Sequence, residues 1–134
     1  MTDRDSPSSD DSRVPVQPRN YLRPCLLLLL EEEPTYGYEL RHKLAPLSAG
    51  NFDPGTVYRA LNTMEDDGLV RSTWKRSVEG PRRRLYDITV AGSAVLDGLN
   101  RELCGLRTMV NDFIGRYESH HRPDTDVAAE DAVA

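Results

Sequence analysis

The sequence predicts a mainly α fold with a small β-wing (α+β): three helices, a hairpin, then one long helix. Three observations carry that expectation. Asp53-Pro54 opens a segment that closes at Gly68, the signature of a capped helix. Two short runs of alternating pattern follow it, separated by a Gly80-Pro81 turn rich in arginine. Finally, apolar residues recur with 3-4 spacing from Leu96 to Tyr117.

The first helix is expected over about Tyr21 to Glu32, with Pro24 in its first turn. Leu26–Leu30 are five consecutive leucines, apolar on every side, so other elements should cover this helix from more than one direction. A buried strand is the competing reading of so short a run, but leucine without β-branched neighbours favours helix. Glu31-Glu32-Glu33-Pro34 ends it. A second helix is expected from Tyr36 to Leu47, with Thr35 as N-cap and Leu40, Leu44 and Leu47 as its core stripe. The third, capped by Asp53, turns Val57, Leu61 and Met64 inward. At 100° per residue its opposite face holds Gly55, Arg59, Asn62 and Asp66, with Thr56 and Tyr58 on the flanks. In the hairpin, Val70, Ser72 and Trp74 alternate with Arg71, Thr73 and Lys75, and Tyr86 and Ile88 alternate with Leu85 and Asp87. The alternation puts Trp74 on the side of Val70, toward the body of the domain, as a core plug under the hairpin.

The last helix should start near Thr89 or Val90 and reach about Glu118. Leu96, Leu99, Leu103, Leu106, Val110, Phe113 and Tyr117 form a heptad seam. A small domain has little with which to cover a seam ~30 Å long. The Leu26–Leu30 run is expected to cover part of it and a second copy of the same helix the rest. The organisation expected is therefore a tail over residues 1–18, a compact region over 19–89, a dimerisation helix over 90–118 and an acidic tail over 119–134. Both tails are rich in polar residues with little to bury, and are expected to be disordered.

Net charge is −5 over 134 residues. The tails account for all of it, so residues 19–118 are neutral overall. Within them Arg71, Lys75, Arg76, Arg82, Arg83 and Arg84 face one acid, Glu79. A local cationic patch of this kind, next to a helix with a slim N-terminal half, suits duplex DNA: the helix enters a groove and the wing lies along phosphates. Thr56, Tyr58, Arg59 and Asn62 are the candidate groove contacts, and Lys75, Arg76, Arg82, Arg83 and Arg84 the backbone or minor-groove contacts.

Cys25 and Cys104 lie far apart in apolar helical contexts and read as free, buried thiols of a reducing compartment. Neither a Cys-x-x-Cys nor a His-Glu-x-x-His pattern nor a phosphate-cradling glycine loop occurs. His42 stands alone and His120 and His121 fall in the tail. No enzyme, metal or cofactor is expected. The apolar run Cys25–Leu30 is far short of the ~20 residues that span a bilayer. With a polar acidic start, the expected location is cytoplasmic, without a membrane partner.

In family order, the chain carries Pro34-Thr35-Tyr36-Gly37-Tyr38-Glu39-Leu40, Gly55-Thr56-Val57-Tyr58-Arg59-Ala60-Leu61, Glu65-Asp66-Asp67-Gly68-Leu69-Val70 and Arg84-Leu85-Tyr86-Asp87-Ile88-Thr89-Val90-Ala91-Gly92. With these and its leucine-rich first helix it resembles the PadR family of transcriptional regulators over residues 19–118. Pro18-Arg19-Asn20-Tyr21-Leu22-Arg23-Pro24, and Ser72-Thr73-Trp74 with Gly80-Pro81-Arg82-Arg83, resemble the subgroup of polyhydroxybutyrate-responsive repressors. The resemblance implies a winged helix-turn-helix homodimer that represses promoters on an operator until a small-molecule effector weakens binding. Two departures limit it: Tyr36 stands where the family often has His, and the C-terminal region is a single helix. The rival expectation is a winged-helix protein-interaction module that has lost DNA binding, which the net acidity favours.

Overall fold

A computed structural model describes residues 20–47, 52–76 and 80–122. The elements in chain order are α1 (Leu22–Glu32), β1 (Thr35–Tyr36), α2 (Gly37–Leu44), α3 (Pro54–Asp66), β2 (Val70–Lys75), β3 (Arg83–Ile88) and α4 (Val90–His120). The expected hairpin tip around Glu79 and the expected disorder of residues 1–18 and of most of the acidic tail lie outside the described residues.

All but Leu28 of the six leucines of α1 are buried, and the helix packs against α2, α3 and β3. Leu40 and Leu44 of α2 and Val57, Leu61 and Met64 of α3 complete this core with Tyr86 and Val70. The stripes expected from 3.6-residue periodicity are the buried ones, except that Leu47 falls beyond α2 in a turn and is half-buried. Asp53 caps α3: its carboxylate accepts from the Thr56 amide at 3.0 Å and Pro54 occupies the first helical position. Gly68, at φ 80°, closes the helix. Its amide bonds the Glu65 carbonyl and the Leu69 amide bonds the Met64 carbonyl, the pair of bonds of a Schellman motif.

The sheet has three strands in the order β1-β3-β2, all antiparallel, where the sequence predicted two. Thr35 pairs with Tyr86 and Tyr36 with Leu85. This corrects the reading of Thr35 as an N-cap. Its side chain is buried and donates to the Glu33 carbonyl at 2.9 Å, and α2 begins at Gly37 without a side-chain cap. Burial of Thr35 as a strand residue beside Tyr86 overrides its local capping preference.

Thr89 joins the sheet to α4. Its hydroxyl donates to the Gly68 carbonyl at 2.7 Å and accepts from the Gly92 amide at 3.0 Å, so one side chain ties the end of α3 to the start of α4. Gly92 is buried there, and a Cβ at that position would collide with the Leu69 carbonyl oxygen. Both thiols are free, Cys25 buried and Cys104 half-buried; burial pushes the Cys25 thiol up from its usual pKa.

The chain forms two compact units that meet in sequence within α4, Met1–Asp97 and Gly98–Ala134. Leu96 is buried in the first. In the second, every residue from Arg107 to His121 is exposed. Phe113 and Tyr117 stack along the helix at 6.4 Å, and Tyr117 stacks on His121 at 4.0 Å. The helix therefore runs to His120, and His120 and His121 are ordered by it, not part of a loose tail as the sequence suggested. The i, i+4 stacking of Tyr117 on His121 accompanies these two additional residues. No helix among the described residues is long and apolar enough to cross a membrane, and no group of metal-binding side chains occurs among them.

Candidate nucleic-acid interface

The solvent face of α3 carries Arg59 and Asn62, both exposed, as the helical period requires. Thr56 is less free than its position suggests. Its hydroxyl donates to the Asp53 carboxylate at 2.9 Å and accepts from the Arg59 guanidinium at 3.2 Å. The bonds from Thr56 hold the Asp53 carboxyl below its usual pKa, with Arg59 adding to the effect. Arg59 thus folds back over the helix start, where the absent side chain of Gly55 leaves it room: a Cβ there would lie 3.2 Å from the guanidinium. Tyr58, on the flank, lies against Gly37 of α2; a Cβ on Gly37 would approach its ring to 3.0 Å.

The wing brings Lys75, Arg83 and Arg84 together by register, Lys75 opposite Arg83 and Trp74 opposite Arg84. The three adjacent arginines do different things. Arg84 is engaged internally: its Nη2 donates to Glu65 at 2.8 Å and its Nε to the Ser72 hydroxyl at 2.9 Å, while Ser72 donates to the other Glu65 oxygen at 2.8 Å. This closed triangle ties the end of α3 to both wing strands. Arg83 lies 5.1 Å from the Tyr38 ring and donates to its hydroxyl at 2.9 Å. Arg82 sits 5.1 Å over Trp74. Arg71, the sixth base of the patch, pairs with Asp87 across the strands at 3.6 Å. Arg59, Lys75, Arg76, Arg82 and Arg83 have no carboxylate within ion-pair distance among the described residues. These five cations, on α3 and the wing, are the ones available to an outside anion.

Trp74 departs from the expected core plug. It is on the face of Val70, but it is 52 % exposed. The hairpin extends past the body of the domain, so burial fades along β2 while Val70 stays covered. In place of a core, Trp74 has two guanidiniums against it, Arg82 and, at 5.6 Å, Arg84. The roles of Glu65 and Tyr38 were missed by sequence reasoning. Glu65 stands in an acidic helix end that reads as solvated, and Tyr38 belongs to a helix whose outward face carried no functional signal.

Residues 26–98 match the family described as Transcriptional regulator PadR-like family. Among solved structures, the chain is 32% identical to a PadR-like transcriptional regulator from Bacillus cereus, covering 69% of this chain and 90% of that one with a TM-score of 0.62. It is 28% identical to a PadR family transcription regulator from Clostridium difficile, covering 71% of this chain and 99% of that one, at a TM-score of 0.64. The fold also extends to Bacillus subtilis PadR, solved in complex with operator DNA, at 18% identity and a TM-score of 0.54 over 58% of this chain and 45% of that one. With more than half of its length matched by the family, and the same fold in solved members, the chain belongs to the PadR-like family of transcriptional regulators.

Proposed function

We propose that this chain is a sequence-specific, duplex-binding repressor that works as a homodimer and releases its operator in response to a small-molecule effector. The observation that carries the reading is the set of five cations on α3 and the wing that have no carboxylate partner among the described residues, in a chain whose net charge is −5. Among the described residues, acids neutralise Arg71 and Arg84 but not Arg59, Lys75, Arg76, Arg82 or Arg83. The Bacillus subtilis relative with the same fold binds operator DNA. In the proposed complex α3 enters the major groove, Arg59 unfolding from Thr56 to reach a base edge, and Lys75, Arg82 and Arg83 lie along the backbone. The exposed face of α4, continuing the seam through Val110, Phe113 and Tyr117, pairs with a second copy. Two-fold symmetry then spaces the half-sites one DNA turn apart, ~34 Å, or a multiple of it.

The test is selection of bound fragments from genomic duplex, followed by salt titration on the selected site. Arg59→Ala is expected to cost ~1–3 kcal/mol and to relax the choice of one base. Arg82→Ala and Arg83→Ala should each weaken all duplexes alike and flatten the log–log salt slope by roughly 0.9 per lost phosphate contact. Arg84→Ala, whose charge Glu65 already offsets, should leave that slope nearly unchanged. Failure to enrich any duplex would replace this reading with the protein-interaction module.

A further inference from the structure

In the order β1-β3-β2, strand β2 has β3 along one edge and, among the described residues, no strand along the other. Register decides which main-chain groups face outward. The Thr89 amide donates to the Leu69 carbonyl at 3.0 Å, which makes Leu69 and Thr89 a hydrogen-bonded pair. Such pairs recur at every second residue, so Arg71, Thr73 and Lys75 turn their amides and carbonyls toward β3. Ile88 agrees: it stands opposite Val70, and its amide donates to the Asp87 carboxylate at 2.8 Å, not to β2. Ser72 and Trp74 therefore present two donors and two acceptors to the open edge, where no backbone group of a described residue bonds them.

The side chains beside this edge set the partner. On one face stand Arg71, Thr73 and Lys75, all exposed. Arg71 has a loose pair with Asp87 at 3.6 Å, and Lys75 has no carboxylate within ion-pair distance among the described residues. On the other face stand Ser72 and the half-exposed Trp74. A second copy is a poor occupant. The two-fold register that pairs Ser72 with Trp74 sets Arg71 against Lys75 twice, and like charges directly opposite destabilise a sheet. Cations on an open edge block such self-pairing. The same cations favour a strand that brings acids to meet them.

We propose that the open edge of β2 binds an extended acidic segment of another protein as a fourth strand. Main-chain bonds at Ser72 and Trp74 hold the segment, acids at alternate positions meet Arg71 and Lys75, and an apolar residue between them lies beside Trp74. The site stands independently of the duplex-binding reading. One consequence rests on that reading: a strand on Lys75 covers a cation proposed to lie along the DNA backbone.

The probe is a short capped peptide of alternating Glu and Val, titrated into the DNA-free full chain and followed by emission of Trp74, the sole tryptophan. Its Gln–Val analogue should bind at least about fivefold more weakly. Two further analogues carry N-methyl groups, on the Glu amides or on the Val amides. Strand addition uses one of these sets, so one analogue should lose about tenfold or more while the other binds like the parent. Hydrogen exchange at the Ser72 and Trp74 amides should slow on binding. Lys75→Glu, at an exposed position, should lose the Glu–Val peptide and gain its Lys–Val counterpart, with the circular dichroism of the wild type. The proposal is overturned if the parent peptide does not bind, if the Gln–Val analogue binds as well, if both N-methyl analogues bind like the parent, or if the two amides exchange at unchanged rates. Slow exchange at these amides without peptide, deepening with protein concentration, gives the edge to a second copy. Tighter peptide binding after replacement of Asp10, Asp11, Asp124 and Asp126 by Asn gives it to the chain's own tails. Either result overturns a separate partner. In the last arm, the peptide should raise the apparent Kd for the selected duplex. Peptide binding with duplex affinity unchanged overturns the competition alone. A chain that binds the peptide and no duplex removes the proposed function and leaves the edge site standing.

Discussion

The two compact units treat the same kind of side chain in opposite ways. In the first, Leu26, Leu27, Leu40 and Leu61 are all at 0% exposure. In the second, Phe113 is 68% and Tyr117 52% exposed, with Met109, Val110 and Ile114 beside them. Both sets recur at helical spacing, so the difference lies in what surrounds them. The helices of the first unit have each other and a sheet to pack on, whereas every described residue from Arg107 on is exposed. An apolar face of this extent fits the proposed pairing of α4 with a second copy, under which stability would have an intramolecular part and a part that depends on concentration.

Core substitution should break the comparison most strongly. Leu61→Ala removes a fully buried side chain and is expected to cost ~2–5 kcal/mol, by the same amount at any protein concentration, in thermal or urea unfolding. Gly92→Ala should rank beside it, at up to about 3 kcal/mol, because its methyl meets backbone rather than a side chain that can yield. Replacing Leu103 and Leu106 with Glu should act on the other part. Sedimentation is expected to show a dimer for wild type at micromolar concentration and monomer for the variant, with the concentration dependence of the melting temperature lost. A monomeric wild type would remove the association surface from the account.

Smaller effects sharpen the description of the first unit. Glu65→Ala leaves Arg84 and Ser72 without their acceptor; both ends are partly exposed, so the expected loss is about 1 kcal/mol. It should also loosen the wing, read as a change in Trp74 emission. The smallest effect concerns acid. The Asp53 carboxyl titrates below its usual value in the folded chain, so its cap is in place above the unfolded-state pKa and is lost as pH falls through the folded one. Asp53→Asn keeps a capping oxygen and should flatten that acid limb of the melting temperature, while Asp53→Ala should lower the melting temperature at neutral pH.

Local grammar made much of the first unit legible. Asp53-Pro54 and Gly68 mark α3 because their preferences act within a turn, and the stripe Val57, Leu61, Met64 follows from the helical period alone. The candidate cations were legible as a cluster for the same reason, being close in sequence. Strand β1 was not. Two residues carry no periodicity, and Thr35 owes its extended state to Tyr86, which lies far along the chain. Trp74 shows the limit in another form: alternation along β2 gave its side but not its exposure, because exposure depends on how far the hairpin outruns the body beneath it.

The sequence by itself determined the types of the elements other than β1, the inward stripes, the capped ends of α3 and the cationic character of the wing, since each follows from residue preferences acting over a few positions. Tertiary structure alone decided which charges remain available. Glu65 lies far from Arg84 in sequence and meets it at 2.8 Å only because α3 and the wing fold together, whereas Arg82 and Arg83, adjacent to Arg84 in the chain, meet rings instead. Charge pairing falls off over a few ångströms of space, and no reading of neighbouring residues can supply that distance.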